Sequence, residues 1–194
     1  MPTRMLLAIL IGTVLAFSWG AVSWTSGMYD SAIRPMPGGA DVAARIAGAV
    51  DEDGAYYHPS PPDTSGMTEQ QSTIAMDAFL AEHRKGPLVM AIVRREGVDP
   101  MSPTILARGF AIELFATSML AAIVAVAAKF GARLRERLAV VFLATGFAML
   151  GSHGVLWNFF HLPDAYSIAL FVDGTVTWLL AGLPCAILIR AQRT

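Results

Sequence analysis

The chain has 194 residues, 55% of them hydrophobic and 15% charged, with a mean hydropathy of +0.53 and a formal net charge of −1. A soluble domain carries about 25% charged residues, and no basic face stands out as a nucleic-acid footprint, so neither a water-soluble globule nor a nucleic-acid binder fits. The single cysteine, Cys185, rules out an internal disulfide or a Cys-based metal motif and reads as a small apolar residue.

Met5 to Thr25 follows Arg4 and contains 21 residues without a charge. At the helical rise this spans roughly 30 Å, enough to cross a bilayer core. Arg4, the apolar run and Ala21-Val22-Ser23 also mimic a signal peptide. The run is longer than a usual signal core, however, and Trp19 and Trp24 suit interfacial anchors, so a retained helix is expected over residues 1–25. Gly12, Ala16 and Gly20 recur every four residues and form a helix-packing face, open to a partner outside the bundle.

Residues 26–108 form the main segment outside the membrane. Asp41 is placed to cap a short helix through about Val50, with Val42, Ile46 and Val50 on one face. A brief extended segment, AYYH, runs into a Pro-rich loop. Thr68 then caps a second helix, with Gln71 at capping-box spacing and Gly86 as its stop. Ile74, Phe79 and Leu80 are among its apolar positions, and Leu88 to Val93 suits a buried strand. This predicts a small α+β insert of two helices and two strands, too small to have much core of its own and resting on the membrane bundle. His58 and His83 fall here and read as solvated or partly packed histidines.

Ser102-Pro103 is an N-cap followed by Pro at the first helical position. Three further spans are expected at 109–128, 138–157 and 165–189, within a 109–194 region that ends in the cytoplasm. Pro184 frees the carbonyl of Leu180 and predicts a packing kink. The fold class is therefore a membrane all-α bundle of four transmembrane helices, with an α+β extracytoplasmic insert between the first two. Arg4, the KFGARLRER loop and the Arg190/Arg193 tail share one side, with seven Lys/Arg against one acid. Ser26 to Arg108 has seven Lys/Arg against eleven acids. The positive-inside rule puts both termini in the cytoplasm.

Three spans carry ionisable residues: Glu113, His153 and Asp173. A charge at mid-bilayer costs about 2.5–3.5 kcal/mol on insertion scales, so each needs a partner or a purpose. Counted from the span ends, they lie about 8, 6 and 12 Å below the outer surface. Thr117 lies one turn from Glu113, Thr177 one turn from Asp173, and Ser152 beside His153, so these six residues are the candidate polar pocket. Three uses remain open: a network stapling the bundle, a site for protons, an ion or a small ligand, and a metal site recruiting His161. No HExxH or comparable spacing supports the metal, and no cofactor is predicted. The turn at Trp157, Asn158, His161 and Tyr166 is a candidate interface, either an aromatic belt or a quinone or lipid contact.

No nucleophile elbow, phosphate-binding glycine loop or haem CxxCH occurs, which disfavours a conventional enzyme. WGAVSW, DPMSP and WNFFHLPDAYSIALFVDGTVTWLLAGL together resemble a set of uncharacterised bacterial inner-membrane proteins with one N-terminal span, an exported insert and three further spans. Relatives in that set often carry another Trp in the turn, where this chain has Phe159. The resemblance implies architecture and a bacterial envelope location, and transfers no catalytic residue. The expected function is a non-enzymatic accessory or assembly subunit, with the bilayer and another membrane protein or a second copy as partners. The alternative is a proton-handling, ion-handling or small-ligand-binding protein using the polar pocket. A phosphatase reporter fused after Ala132 is expected to be inactive, and export of that fusion would overturn the orientation.

Overall fold

The computed structural model describes residues 2–190, so Arg193, counted above among the basic residues, lies outside the described residues. In chain order the elements are α1 (Pro2–Thr25), α2 (Gly39–Ala49), β1 (Gly54–His58), α3 (Glu69–Lys85), β2 (Val89–Val93), α4 (Pro103–Lys129), α5 (Leu134–Met149), a π-helical turn (Leu150–Gly154), α6 (Val155–Phe159) and α7 (Asp164–Leu188). They form two compact units. One is Pro35–Val98, and the other combines the chain up to Arg34 with the chain from Asp99 onward.

Four helical stretches, Thr3–Thr25, Pro103–Lys129, Leu134–Phe159 and Asp164–Leu188, are long and apolar enough to cross a membrane. Their large side chains point away from the bundle. Leu6, Leu10, Phe115, Met119, Phe142, Phe147, Ile168 and Leu183 are all exposed. A water-soluble surface rarely tolerates so much contiguous apolar area, whereas lipid tails do. The interior is built from small residues instead: Ala8, Ala121, Ala128, Cys185 and Ala186 are fully buried beside Val124, Val141 and Ile189.

α7 packs against α1, α4 and α5. Its glycines and alanines allow this. A Cβ on Gly182 would collide with Val141 and Leu120, and one on Gly12 of α1 would collide with the Ala181 carbonyl. Gly12 and Ala16 are buried, so the expectation that their face packs outside the bundle is corrected: the close crossing with α7 takes it up. A Cβ on Gly20 would meet nothing within 4 Å. Pro184 is buried within α7, which continues past it to Leu188. Phe17 and Phe110 meet edge to face, 5.5 Å between centroids, where α1 passes α4.

One arginine of the basic loop does more than carry charge. Arg137 is buried, and its Nε donates to the Ala186 carbonyl at 2.8 Å while Nη1 donates to Ala132 at 2.6 Å. Ala186 lies in the last turn of α7, where carbonyls lack helical partners and attract cations. Arg137 therefore ties α5 to the end of α7.

Within the Pro35–Val98 unit, β1 and β2 pair antiparallel with Gly54 opposite Val93 and His58 opposite Val89. Asp53 accepts from the Arg95 backbone N–H at 2.8 Å, tying the two chains beyond the strand ends. The Thr68–Gln71 capping box forms, and Gly86 caps the end of α3. Two details differ from expectation. Gly38 in the left-handed region precedes α2, and Asp41 falls in its first turn, where it favours the helix dipole without capping. β2 is not buried: Ile92 is 81% exposed, because a two-stranded sheet and helices without a buried residue have too little mass to cover it. The unit is also narrower than the 26–108 segment expected, since Ser26 to Arg34 belongs with the bundle.

Gly12→Ala is expected to destabilise the bundle by about 1–3 kcal/mol through overpacking against backbone. Gly20→Ala is expected to stay within about 0.5 kcal/mol of wild type. Thermal unfolding in mild detergent compares the two, and equal losses would contradict the close α1–α7 crossing.

Candidate functional site

Asp173 is the residue on which the polar groups converge. It lies on the second turn of α7 past Ala165–Tyr166, and both of its carboxylate oxygens accept hydrogen bonds. The Trp19 indole Nε1–H donates to Oδ1 at 2.7 Å. The Tyr29 hydroxyl donates to Oδ2 at 2.6 Å. These neutral donors replace the water that the bilayer withholds.

The local sequence explains how both donors arrive. Trp19 is seven residues past Gly12, so it shares the face that α1 turns toward α7. Beyond α1, Gly27 takes a positive φ of 79°, and the turn is closed by Asp30 N–H to the Gly27 carbonyl. That reversal carries Tyr29 back over α7, where it stacks on Trp24 at 4.5 Å and is 6% exposed. Burial first, and then the hydrogen bond to Asp173, push the Tyr29 phenol well above its ordinary value of 10.0.

The other expected pocket residues divide into groups. Glu113 is half-buried and close enough to Asp173 for their carboxyls to interact, yet its Oε2 has no hydrogen-bond partner. His153 lies over α7 at Gly174, where an added Cβ would come within 4.0 Å of its Nε2, and its Nδ1 is buried without a partner. No hydrogen bond joins Glu113, His153 and Asp173 to one another among the described residues. Thr177 and Ser152 bond back to their own helices, at the carbonyls of Asp173 and Ala148. Thr117 is fully buried beside Gly12, with Oγ1 unpartnered. The metal arrangement of His153, His161 and the two carboxylates does not assemble, since no group of three His, Cys, Asp or Glu among the described residues could hold an ion.

In the interface turn, the Trp157 indole donates to Asp164 Oδ1 at 2.8 Å and closes the connection into α7. Asn158 and His161 are exposed, and His161 takes a positive φ of 51°. Tyr166 is half-buried and near enough to Tyr29 to interact with it. Sequence reasoning missed both of Asp173's donors. Trp19 passed for an interfacial anchor, although its spacing from Gly12 and Ala16 already put it on the packing face. Tyr29 carried no usable signal, because its placement depends on the chain reversal at Gly27.

The fold favours the protonated phenol of Tyr29, so its contribution is fully present below pH about 10 and lost as pH rises above that value. Thermal stability is therefore expected to fall more steeply above pH about 10 in wild type than in Tyr29→Phe. At neutral pH, Tyr29→Phe is expected to cost about 1 kcal/mol, and coincident pH profiles would contradict the bond. No protein family, curated protein or solved structure matches this chain.

Proposed function

We propose that the chain is a non-enzymatic accessory or assembly subunit of the bacterial inner membrane, with both termini in the cytoplasm and the insert outside. The observation that carries this reading is the state of Asp173. The costliest group in the spans has both oxygens engaged by the chain's own Trp19 and Tyr29, which is the arrangement of a fastening rather than of an open reaction site. Its second donor lies just beyond α1, on the segment leading to the insert, so the fastening steadies the root of that insert. A bundle of this kind presents a surface. The insert's exposed Ile74 and Ile92 suit engagement of another protein. The basic Arg4, Lys129 and Arg133 near the helix ends support the orientation.

A second reading, proton handling, is favoured by one observation. The Oε2 of Glu113 is buried without a partner beside an already bonded Asp173. In that reading Glu113, and not Asp173, exchanges the proton.

One comparison separates the readings. The full chain, crosslinked in native membranes, is expected to yield a defined complex that persists in Glu113→Gln and disappears when residues 35–98 are deleted. A monomeric chain with no crosslinked partner would refute the accessory reading. A pH-dependent flux in proteoliposomes, lost in Glu113→Gln with folding intact, would establish the second in its place.

A further inference from the structure

One end of the bundle gathers its cations. Arg4 precedes Met5, Lys129 follows Ala128 and Arg190 follows Ile189, and Met5, Ala128 and Ile189 meet in one apolar cluster. Arg133, Arg135 and Arg137 join them at the start of α5, where Glu136 is the one acid among the described residues. These groups differ in how far they are committed. Arg137 is turned inward onto the Ala132 and Ala186 carbonyls. One oxygen of Glu136 accepts from the Arg133 backbone N–H at 2.6 Å, and the other lies 3.7 Å from Arg135. An exposed pair of that kind is weak and exchanges readily.

Two of the exposed arginines stand at the end of a groove. Between α5 and α7 lies a hollow of about 250 Å³, lined by Leu138, Val141, Val176, Leu179, Leu180 and Leu183. Leu138 and Leu183 are exposed, so it opens sideways from the bundle. From Val176 to Leu183 it runs about 10 Å along α7. Arg135 is one turn from Leu138 on α5. Arg190 donates through Nε to the carbonyl of Ile187, which is one turn past Leu183, at 3.2 Å. The bond from Arg137 to Ala186 holds the first turn of α5 against the last turn of α7. An apolar trough and a pair of arginines therefore lie along one helix seam.

We propose that this seam binds an anionic phospholipid, with an acyl chain in the groove and the phosphate at Arg135 and Arg190. The bilayer supplies the apolar half of the occupant. Leu183 lies about 8 Å inside the end of α7, in the hydrocarbon, where the neighbours of an outward hollow are acyl chains. Charge selects the headgroup. A guanidinium meets a phosphate through two parallel hydrogen bonds, and its methylenes lie along apolar surface while the head stays in the polar layer. Each cation beside an anionic lipid surface contributes about fivefold in affinity. A choline headgroup brings a positive charge that the arginines repel, and a neutral one leaves them unused. A larger groove at the other end of α7, about 740 Å³, has Asp164 and no Lys or Arg among its described lining residues, so it offers a phosphate nothing. The site rests on the four apolar helices crossing a bilayer, and it is independent of what the insert engages.

The test uses the full chain in mild detergent, titrated with dioleoylphosphatidylglycerol or dioleoylphosphatidylcholine and read by native mass spectrometry. The first phosphatidylglycerol adduct is expected to saturate and to bind at least about tenfold tighter than phosphatidylcholine. Arg135→Gln combined with Arg190→Gln is expected to remove that preference and leave phosphatidylcholine binding unchanged. Arg137 stays in place in this variant, since it holds α5 to α7. Leu183→Trp, which fills the groove, is expected to weaken both lipids. Arg4→Gln combined with Lys129→Gln takes the same charge from the same end but away from the seam, and is expected to cost less than about twofold. Any of four results overturns the proposal: equal affinity for the two lipids, a preference kept in Arg135→Gln/Arg190→Gln, an equal loss in Arg4→Gln/Lys129→Gln, or displacement by glycerol phosphate at the concentration of the lipid, which would make the groove unnecessary.

Discussion

Asp173 has to be reconciled with an apolar surrounding, and much of the bundle follows from how that is done. A carboxylate without water needs donors, and the chain supplies an indole from α1 and a phenol from the turn beyond it. Both donors are neutral, so the bonds must be well placed to offset the cost of burying the carboxyl. This fixes how far α1 slides along α7, since Trp19 must reach Asp173 while Gly12 sits against Ala181. The two contacts are seven and eight residues apart on their helices, about two turns, which is the match that antiparallel neighbours require. Shifting α1 by one turn would break the bond and drive a larger residue into the Ala181 backbone.

Polar groups elsewhere in the bundle are handled by the same rule at its other end. Among the described residues Arg137 has no carboxylate partner, and its guanidinium donates to two backbone carbonyls instead. Asp173 of α7 and the buried Arg137 of α5 are each met by uncharged hydrogen-bonding groups, and between them the interior is mostly small residues beside Val124 and Val141. Small residues allow close backbone approach where lipid supplies no hydrophobic drive between helices. α7 can therefore pack against three neighbours at once, and the large side chains are left to face outward.

Much of the fold was legible in the sequence because the bilayer imposes simple constraints. Length and hydropathy located the four apolar helices, and Ser102-Pro103, Thr68-Gln71 and Gly86 marked helix ends through local hydrogen bonding that needs no tertiary context. The candidate site was legible only in part. Depth counting put Glu113, His153 and Asp173 near one level, but rise per residue says nothing of which side chain bonds which. Both donors to Asp173 come from side chains with a more common use, Trp as an interfacial anchor and Tyr in a turn. The buried strand failed for a related reason: a run such as VMAIV states an apolar preference, and only the mass packed around it decides whether the preference is met.

Among the described residues, the buried polar side-chain atoms left without partners, Glu113 Oε2 apart, are of two kinds. Thr13, Thr117 and Thr145 are fully or nearly fully buried between helices, and none lines the larger groove. A helical threonine hydroxyl can rotate toward the carbonyl one turn back, so its need can be met within its own helix. His153 has no such remedy, because an imidazole nitrogen does not fold back onto the preceding turn. Ser167 stands with the threonines, since a helical serine hydroxyl can bond the carbonyl one turn back as Ser118 and Thr177 do. His153 sits on the π-helical turn, where the third span departs from α-helical geometry.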